Sequence, residues 1–282
     1  MFKRIFKDGF KDFSKGQKGG GFMDSNSIIA KFAFLVLVLI FFLIILRLGT
    51  SFLGWLFQPT GEPILINGLK QGTESLVIKQ NPNERDAIPV IRSNNEDGGI
   101  EFTWSVWLEI KGLPPNKQDY SHVFHKGNNS MNTGAVNTPN NAPGLYIDNR
   151  GMTKDNGQIG LKIVMNTFNN IQETVHVNDV PFKKWFNVMI RARNENLDVY
   201  VNGSIVNRHV LQGVPKQNYS NVYVCEQGGF IGQLSDLRYF NHALGTTKIQ
   251  SIVMKGPNLK IAGGTQDTVA PPYLGLRWYL FN

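Results

Sequence analysis

One cysteine, Cys225, occurs in the 282 residues. A single thiol excludes any intrachain disulfide, so whatever folds here must rest on its apolar core. That fits maturation in a reducing setting, and Cys225 itself reads as a small buried hydrophobe. Histidine is also scarce, with five in the chain. Only His122 and His125 stand close together, and three residues apart on a predicted strand they point to opposite faces and share no metal. His176, His209 and His242 are scattered singles with structural or solvent roles. No P-loop, dinucleotide fingerprint or Ser-His-Asp arrangement is present. The formal charge is +8, but Lys and Arg are dispersed rather than clustered, which leaves no nucleic-acid footprint. Helical patterns are nearly absent beyond the N-terminal part.

What the chain does have is one long apolar run. Residues 32–46, FAFLVLVLIFFLIIL, lie between Lys31 and Arg47. The run alone spans roughly 22 Å at 1.5 Å per residue, short of a bilayer's hydrocarbon core, and the apolar flanks extend it to residues 28–57. Lys31 and Arg47 can snorkel, and Trp55 falls where an interfacial aromatic belt would stand. A buried core helix would show a polar stripe. A cleaved signal would be shorter and followed by a small-residue site. The run therefore predicts one transmembrane helix partnered by the lipid bilayer. Before it, seven Lys and Arg face three Asp. The positive-inside rule then places a basic tail, residues 1–27, in the cytoplasm and the rest on the extracellular or lumenal side. Phe2, Ile5, Phe6, Phe10 and Phe13 fit either an amphipathic surface helix or a solvated tail. Asp24, Ser25 and Ser27 are the N-cap candidates.

Beyond the helix, strands dominate. Residues 58–99 read as a stalk, with Pro59, Pro63 and several glycines up to residue 72, followed by first strands at 75–79 and 88–92. In residues 100–111, IEFTWSVWLEIK, Phe102, Trp104, Val106, Leu108 and Ile110 fall on one face and Thr103, Ser105, Trp107 and Glu109 on the other. Further strands are predicted over 120–126, 144–148, 159–166, 171–177, 185–193, 196–202, 204–210, 221–225 and 230–240. Asn202-Gly203 predicts a tight hairpin between two of them. Residues 245–254 alone look helical, capped by Thr246 or Thr247. Short strands with regular turn signals predict an all-β antiparallel sandwich over residues 100–255, with a C-terminal extension, 256–282, that packs back or docks elsewhere.

These residues also carry a resemblance. Phe102-Thr103-Trp104-Ser105-Val106-Trp107, His122 through Lys126-Gly127, Gly144-Leu145-Tyr146, Trp185 through Val188, Leu197 through Asn202-Gly203 and Gly232 through Leu244 occur in order. The pattern resembles the concanavalin A-like lectin/glucanase superfamily, in particular its laminin G-like jelly rolls. More loosely, a short basic tail, one anchor and such a domain is similar to membrane-anchored proteins of large DNA viruses. The resemblance implies a lectin-like protein that binds a glycan or a protein, on a virion surface or elsewhere. The alternative is a structural tether between membrane and capsid proteins; a divergent glycoside hydrolase is a third reading. Glucanase relatives set acids on one strand near E-x-D-x-E, so that two carboxylates work across roughly 5–5.5 Å. No strand offers that here, since Glu101 and Glu109 are eight apart and Asp198 and Asp236 stand alone, so the chain reads as non-enzymatic.

For ligand contact, Trp107 and Tyr200 are candidates because they lie opposite the apparent core face. Asn128 and Asn129 open a long polar loop, residues 127–143, that is either a binding surface or mobile. Laminin G-like relatives often hold a Ca²⁺ ion at the sandwich rim, and here Asp148, Asn149 and Asp155, with Asn156, make the oxygen-rich turn that could do so. An ordinary polar turn uses the same residues. Sequons at Asn128, Asn202 and Asn218 are about what an Asn-rich chain contains by composition.

Overall fold

The computed structural model describes residues 28–56, 60–96, 99–112, 118–132, 134–151 and 158–262. The predicted tail with the helix's N-cap candidates Asp24, Ser25 and Ser27, Asp155, Asn156 and residues 263–282 of the C-terminal extension lie outside these. The chain divides into two units, Met1–Gln58 and Pro59–Asn282.

In the first unit, helix α1 runs over Ile28–Leu56. Its 29 residues make about 43 Å of helix, more than the roughly 30 Å of a hydrocarbon core. It is long and apolar enough to cross a membrane, and its described side chains are exposed all round.

The second unit is an antiparallel β-sandwich. Its strands are β1 (Ile64–Gln71), β2 (Leu76–Ile78), β3 (Asn94–Glu96), β4 (Gly99–Gly112), β5 (Tyr120–Lys126), β6 (Gly144–Asp148), β7 (Ile159–Met165), β8 (Glu173–Val180), β9 (Trp185–Arg193), β10 (Asn196–Val201), β11 (Ser204–Val210), β12 (Val222–Val224) and β13 (Ile231–Phe240). One sheet runs β1-β13-β4-β9-β10-β11, with β3 on the edge of β4; the other runs β2-β12-β5-β6-β7-β8. The alternation in β4 holds: Phe102, Trp104, Val106, Leu108 and Ile110 face the second sheet and are buried. Each such side chain contributes roughly 1.5–3 kcal/mol by leaving water. Trp104 ties the sheets together, its ring 5.2 Å from Phe124 of β5 and 5.1 Å from Tyr239 of β13.

Asn202-Gly203 closes the β10–β11 hairpin with both residues at positive φ, the requirement of a type I′ turn. Helix α2, Thr246–Lys255, buries Ile249 and Ile252 with Met189, Phe240 and Leu244 in a cluster separate from the inter-sheet core. Its N-cap is Gly245, without a side-chain cap bond, so neither Thr246 nor Thr247 plays the part expected.

Three expectations are corrected. Within the expected stalk, Ile64–Gln71 is a strand paired with β13. Residues 88–92 form no strand. Their backbone is instead held by the Gln80 side chain, whose Nε2 donates to Ile88 O and whose Oε1 accepts from Val90 N–H, at 3.0 and 2.8 Å, beside one backbone bond from Ile88 N–H to Lys79 O at 3.0 Å. Finally, His122 and His125 meet. A register shift between His122 and Phe124 in the β5–β6 pairing turns both rings to one side, since one extra residue inverts the alternation.

Candidate functional site

The histidine pair shows how β5 is fixed. The Glu226 backbone N–H donates to His122 Nδ1 at 2.9 Å. That puts the His122 proton on Nε2, which donates to His125 Nδ1 at 2.7 Å, and His125 Nε2–H then donates to the Asn128 carbonyl at 3.0 Å. Both rings are buried and neutral. Burial, and then the neighbouring His125, hold His122 well below the usual histidine range; burial brings His125 down to about 4.

The loop after β5 is built rather than loose. The Asn128 side-chain amide donates to Thr138 O, and its Oδ1 accepts from Asn140 N–H. Asn137 Nδ2 donates to Asn140 O at 2.6 Å, Asn141 Nδ2 to Asn137 O at 2.8 Å, and the Tyr146 hydroxyl to Asn141 Oδ1 at 2.6 Å. Asn166 accepts from Asn141 N–H and donates to Pro139 O. Asn137 and Asn141 are fully buried, as polar groups are when their bonds are met. The asparagines that suggested a mobile or binding loop are its internal framework, and of the two candidates only Asn129 is exposed.

The other sequence candidates do not converge. Trp107 is buried, opposite Ser235 and Asn187; Ser235 Oγ in turn donates to Asn258 O. Tyr200 is half-buried, packs on the α2 cluster and takes the Arg191 guanidinium over its ring. Asp148 receives Arg150 Nε and Nη2 at 2.9 and 2.6 Å. Asn149 donates to Ser121 Oγ at 2.8 Å. Asp155 lies outside the described residues, among which no three His, Cys, Asp or Glu side chains gather as a metal site. Glu101 pairs with Arg193, Glu109 with Lys111, and buried Asp198 with Arg191 and Arg208.

A cleft of about 410 Å³ opens between the sheets elsewhere. Ile100 and Trp104 of β4, Tyr239 of β13 and Lys126 of β5 line it, together with Ala142 and the segments at 90–92, 168 and 214–219. Phe168 and Tyr219 belong to this lining and stand 68% and 90% exposed. For aromatic rings on a folded surface these values call for a reason. The backbone holds Phe168 in place through Phe168 N–H to Val214 O and Lys216 N–H to Asn166 O, at 3.2 and 2.8 Å.

Lys126 is the unusual member. It is only 5% exposed. Its N–H donates to Pro143 O and its C=O accepts from Ala142 N–H, while Nζ donates to Ser220 O at 2.6 Å. Burial lowers its pKa to about 8. The Tyr239 hydroxyl, also buried in the lining, has no hydrogen-bond partner among the described residues. Gln217 stands near enough to lower its pKa slightly against the larger rise from burial, but outside hydrogen-bonding geometry. Nothing in the local sequence HVFHKG marks Lys126 as buried; the lysine after an alternating strand reads as its solvated end.

Two facing antiparallel sheets with a cleft between them define a β-sandwich with room for a ligand. The chain belongs to the concanavalin A-like lectin/glucanases superfamily, whose laminin G-type family model matches residues 86–250. No curated protein matches it. Among solved structures, the receptor-binding domain of botulinum neurotoxin D is similar at 12% identity, over 69% of this chain and 48% of that one, with a TM-score of 0.45. The botulinum neurotoxin serotype G binding domain is similar at 13% identity, over 66% and 46%, with a TM-score of 0.43. The chain thus spans about half of those domains or less.

Proposed function

We propose that this chain is a single-pass membrane protein that displays a lectin-like, non-enzymatic binding sandwich on the non-cytoplasmic side. Its ligand is a saccharide unit of a glycan or glycoprotein. The observation that carries this reading is the cleft flanked by Phe168 and Tyr219. Its volume lies in the range of about 300–1,000 Å³ usual for ligand pockets, and two exposed rings at its mouth suit the C–H faces of a sugar. Helix α1 is the anchor, and the basic residues before it keep the N-terminus in the cytoplasm. On an enveloped or membrane-containing virus particle, the same topology would present the sandwich to a host surface.

The test is glycan-array binding by the full chain in lipid nanodiscs, with Ca²⁺ and with chelator, beside a Phe168→Ala/Tyr219→Ala variant. Saturable binding by the parent and its loss in the variant is the expected result. Binding that survives in the variant moves the site away from this cleft. Absence of binding to any glycan by a folded chain overturns the lectin reading. In sealed vesicles, protease added to the lumenal face should remove the sandwich and spare the tail; the reverse pattern overturns the topology.

A further inference from the structure

We propose that the cleft contains a carboxylate subsite, with the Lys126 ammonium as counter-charge and the Tyr239 hydroxyl as a second donor. The inference deepens the binding reading above and rests on the same cleft.

A buried ammonium is stable when a carboxylate pairs with it or when enough acceptors surround it. Lys126 has neither. No described Asp or Glu oxygen forms an ion pair with it, and Ser220 O at 2.6 Å is the one acceptor its Nζ meets among the described residues. An ammonium carries three N–H donors, so the lysine holds donor capacity that the described part of the fold does not use. The cleft supplies no acid either, since its described lining contains no Asp or Glu. Tyr239 adds an independent sign, a buried hydroxyl without a partner in the same lining. Two unsatisfied donors of this kind in one cleft are what an incoming anion would satisfy.

The chemistry narrows the anion. The buried part of the cleft offers one ammonium and one neutral phenol, while the Arg92 guanidinium belongs to the exposed part of the lining. The buried pair matches a single negative charge, whereas phosphate and sulfate groups draw clusters of cations or guanidinium forks. Val90, Ile91, Val214 and Pro215 line the same cleft, so the carboxylate must sit on a body with an apolar face. An acidic sugar meets that description, and so does a free organic acid. Burial already depresses the Lys126 pKa to about 8, and a bound carboxylate would raise it again.

The experiment is a ligand-observed NMR titration of the full chain in nanodiscs with methyl glucuronide, methyl glucoside and benzoate. The first two differ only in the carboxylate, so the wild type alone tests the proposal and no variant needs to fold. The expected result is glucuronide binding about tenfold or more tighter than glucoside, with a Lys126→Gln protein that keeps the parent's circular dichroism losing the difference. Equal affinity for the two sugars, or a Lys126→Gln protein that keeps the preference, overturns the subsite and leaves the saccharide reading standing. Binding of benzoate alone, lost in Lys126→Gln, upholds the subsite and overturns the saccharide reading. Failure of all three ligands overturns both.

Discussion

His122 Nε2 stands 2.7 Å from His125 Nδ1, and the Glu226 N–H on one side and the Asn128 carbonyl on the other fix the direction of every proton between them. The pair is a one-way hydrogen-bond chain that works only while both rings are neutral.

Acid should therefore unfold the sandwich earlier than its carboxylates alone would. Both histidines have folded pKa values below the ordinary 6.5, with His125 at about 4. The unfolded chain takes up protons first, so this stability is intact above pH 6.5 and is lost as pH falls toward 4. The loss expected between pH 7 and 4.5 is on the order of 2–3 kcal/mol for each ring that stays neutral in the folded state. Chemical denaturation across that range measures it, and an His122→Gln/His125→Gln protein should show a flatter profile. Identical slopes would sink the assignment.

Replacing Lys126 with methionine should stabilise the protein while removing carboxylate binding. The folded state disfavours the ammonium, a cost present below pH 8 and relieved as pH rises from about 8 to 10.5. A gain of about 1–2 kcal/mol at pH 7 is expected from urea unfolding. A loss of more than about 1 kcal/mol would mean that the Ser220 bond outweighs the burial of charge.

Asn137→Ala should loosen the 127–143 loop. The side chain is fully buried, accepts from Ser130 N–H and donates to Asn140 O. Removing it leaves both partners unmet, at roughly 2–3 kcal/mol. Limited proteolysis should then cut the loop well before the sandwich unfolds; an unchanged digestion pattern would contradict its role.

Gly127→Ala tests the same loop from its backbone. A Cβ there would stand 2.0 Å from Asn140 O, closer than any contact allows, so the loop must shift at a cost of about 2–3 kcal/mol. Thermal unfolding would show it, and a Tm unchanged within a degree would mean that the loop moves freely.

How far these features could be read from sequence depended on whether each pattern was local. In β4, burial on one face dictates the alternation from Phe102 to Ile110, and nothing interrupts it. In β1 the pattern fails because its register shifts twice and Gly68 sits at positive φ, so neighbouring Leu65 and Ile66 are both buried while Ile64 is exposed, and burial does not alternate. Residues 88–92 look like a strand because they are extended and half-buried, yet Gln80 takes the place of a neighbouring strand. The bulge at His122 is invisible because it depends on β6. The cleft was out of reach for the same reason, since Trp104, Lys126, Phe168, Tyr219 and Tyr239 approach one another only once both sheets have formed. The family motifs, by contrast, were local, and they carried the fold.

The solitary Cys225 has a practical side. Its thiol is fully buried and burial pushes its pKa up to about 12, so thiol reagents at neutral pH have little thiolate to attack. A cysteine introduced at exposed Tyr219 would then be the one reactive thiol in the chain. A fluorophore placed there would report occupancy of the cleft from a single position, without any need to engineer the native thiol away.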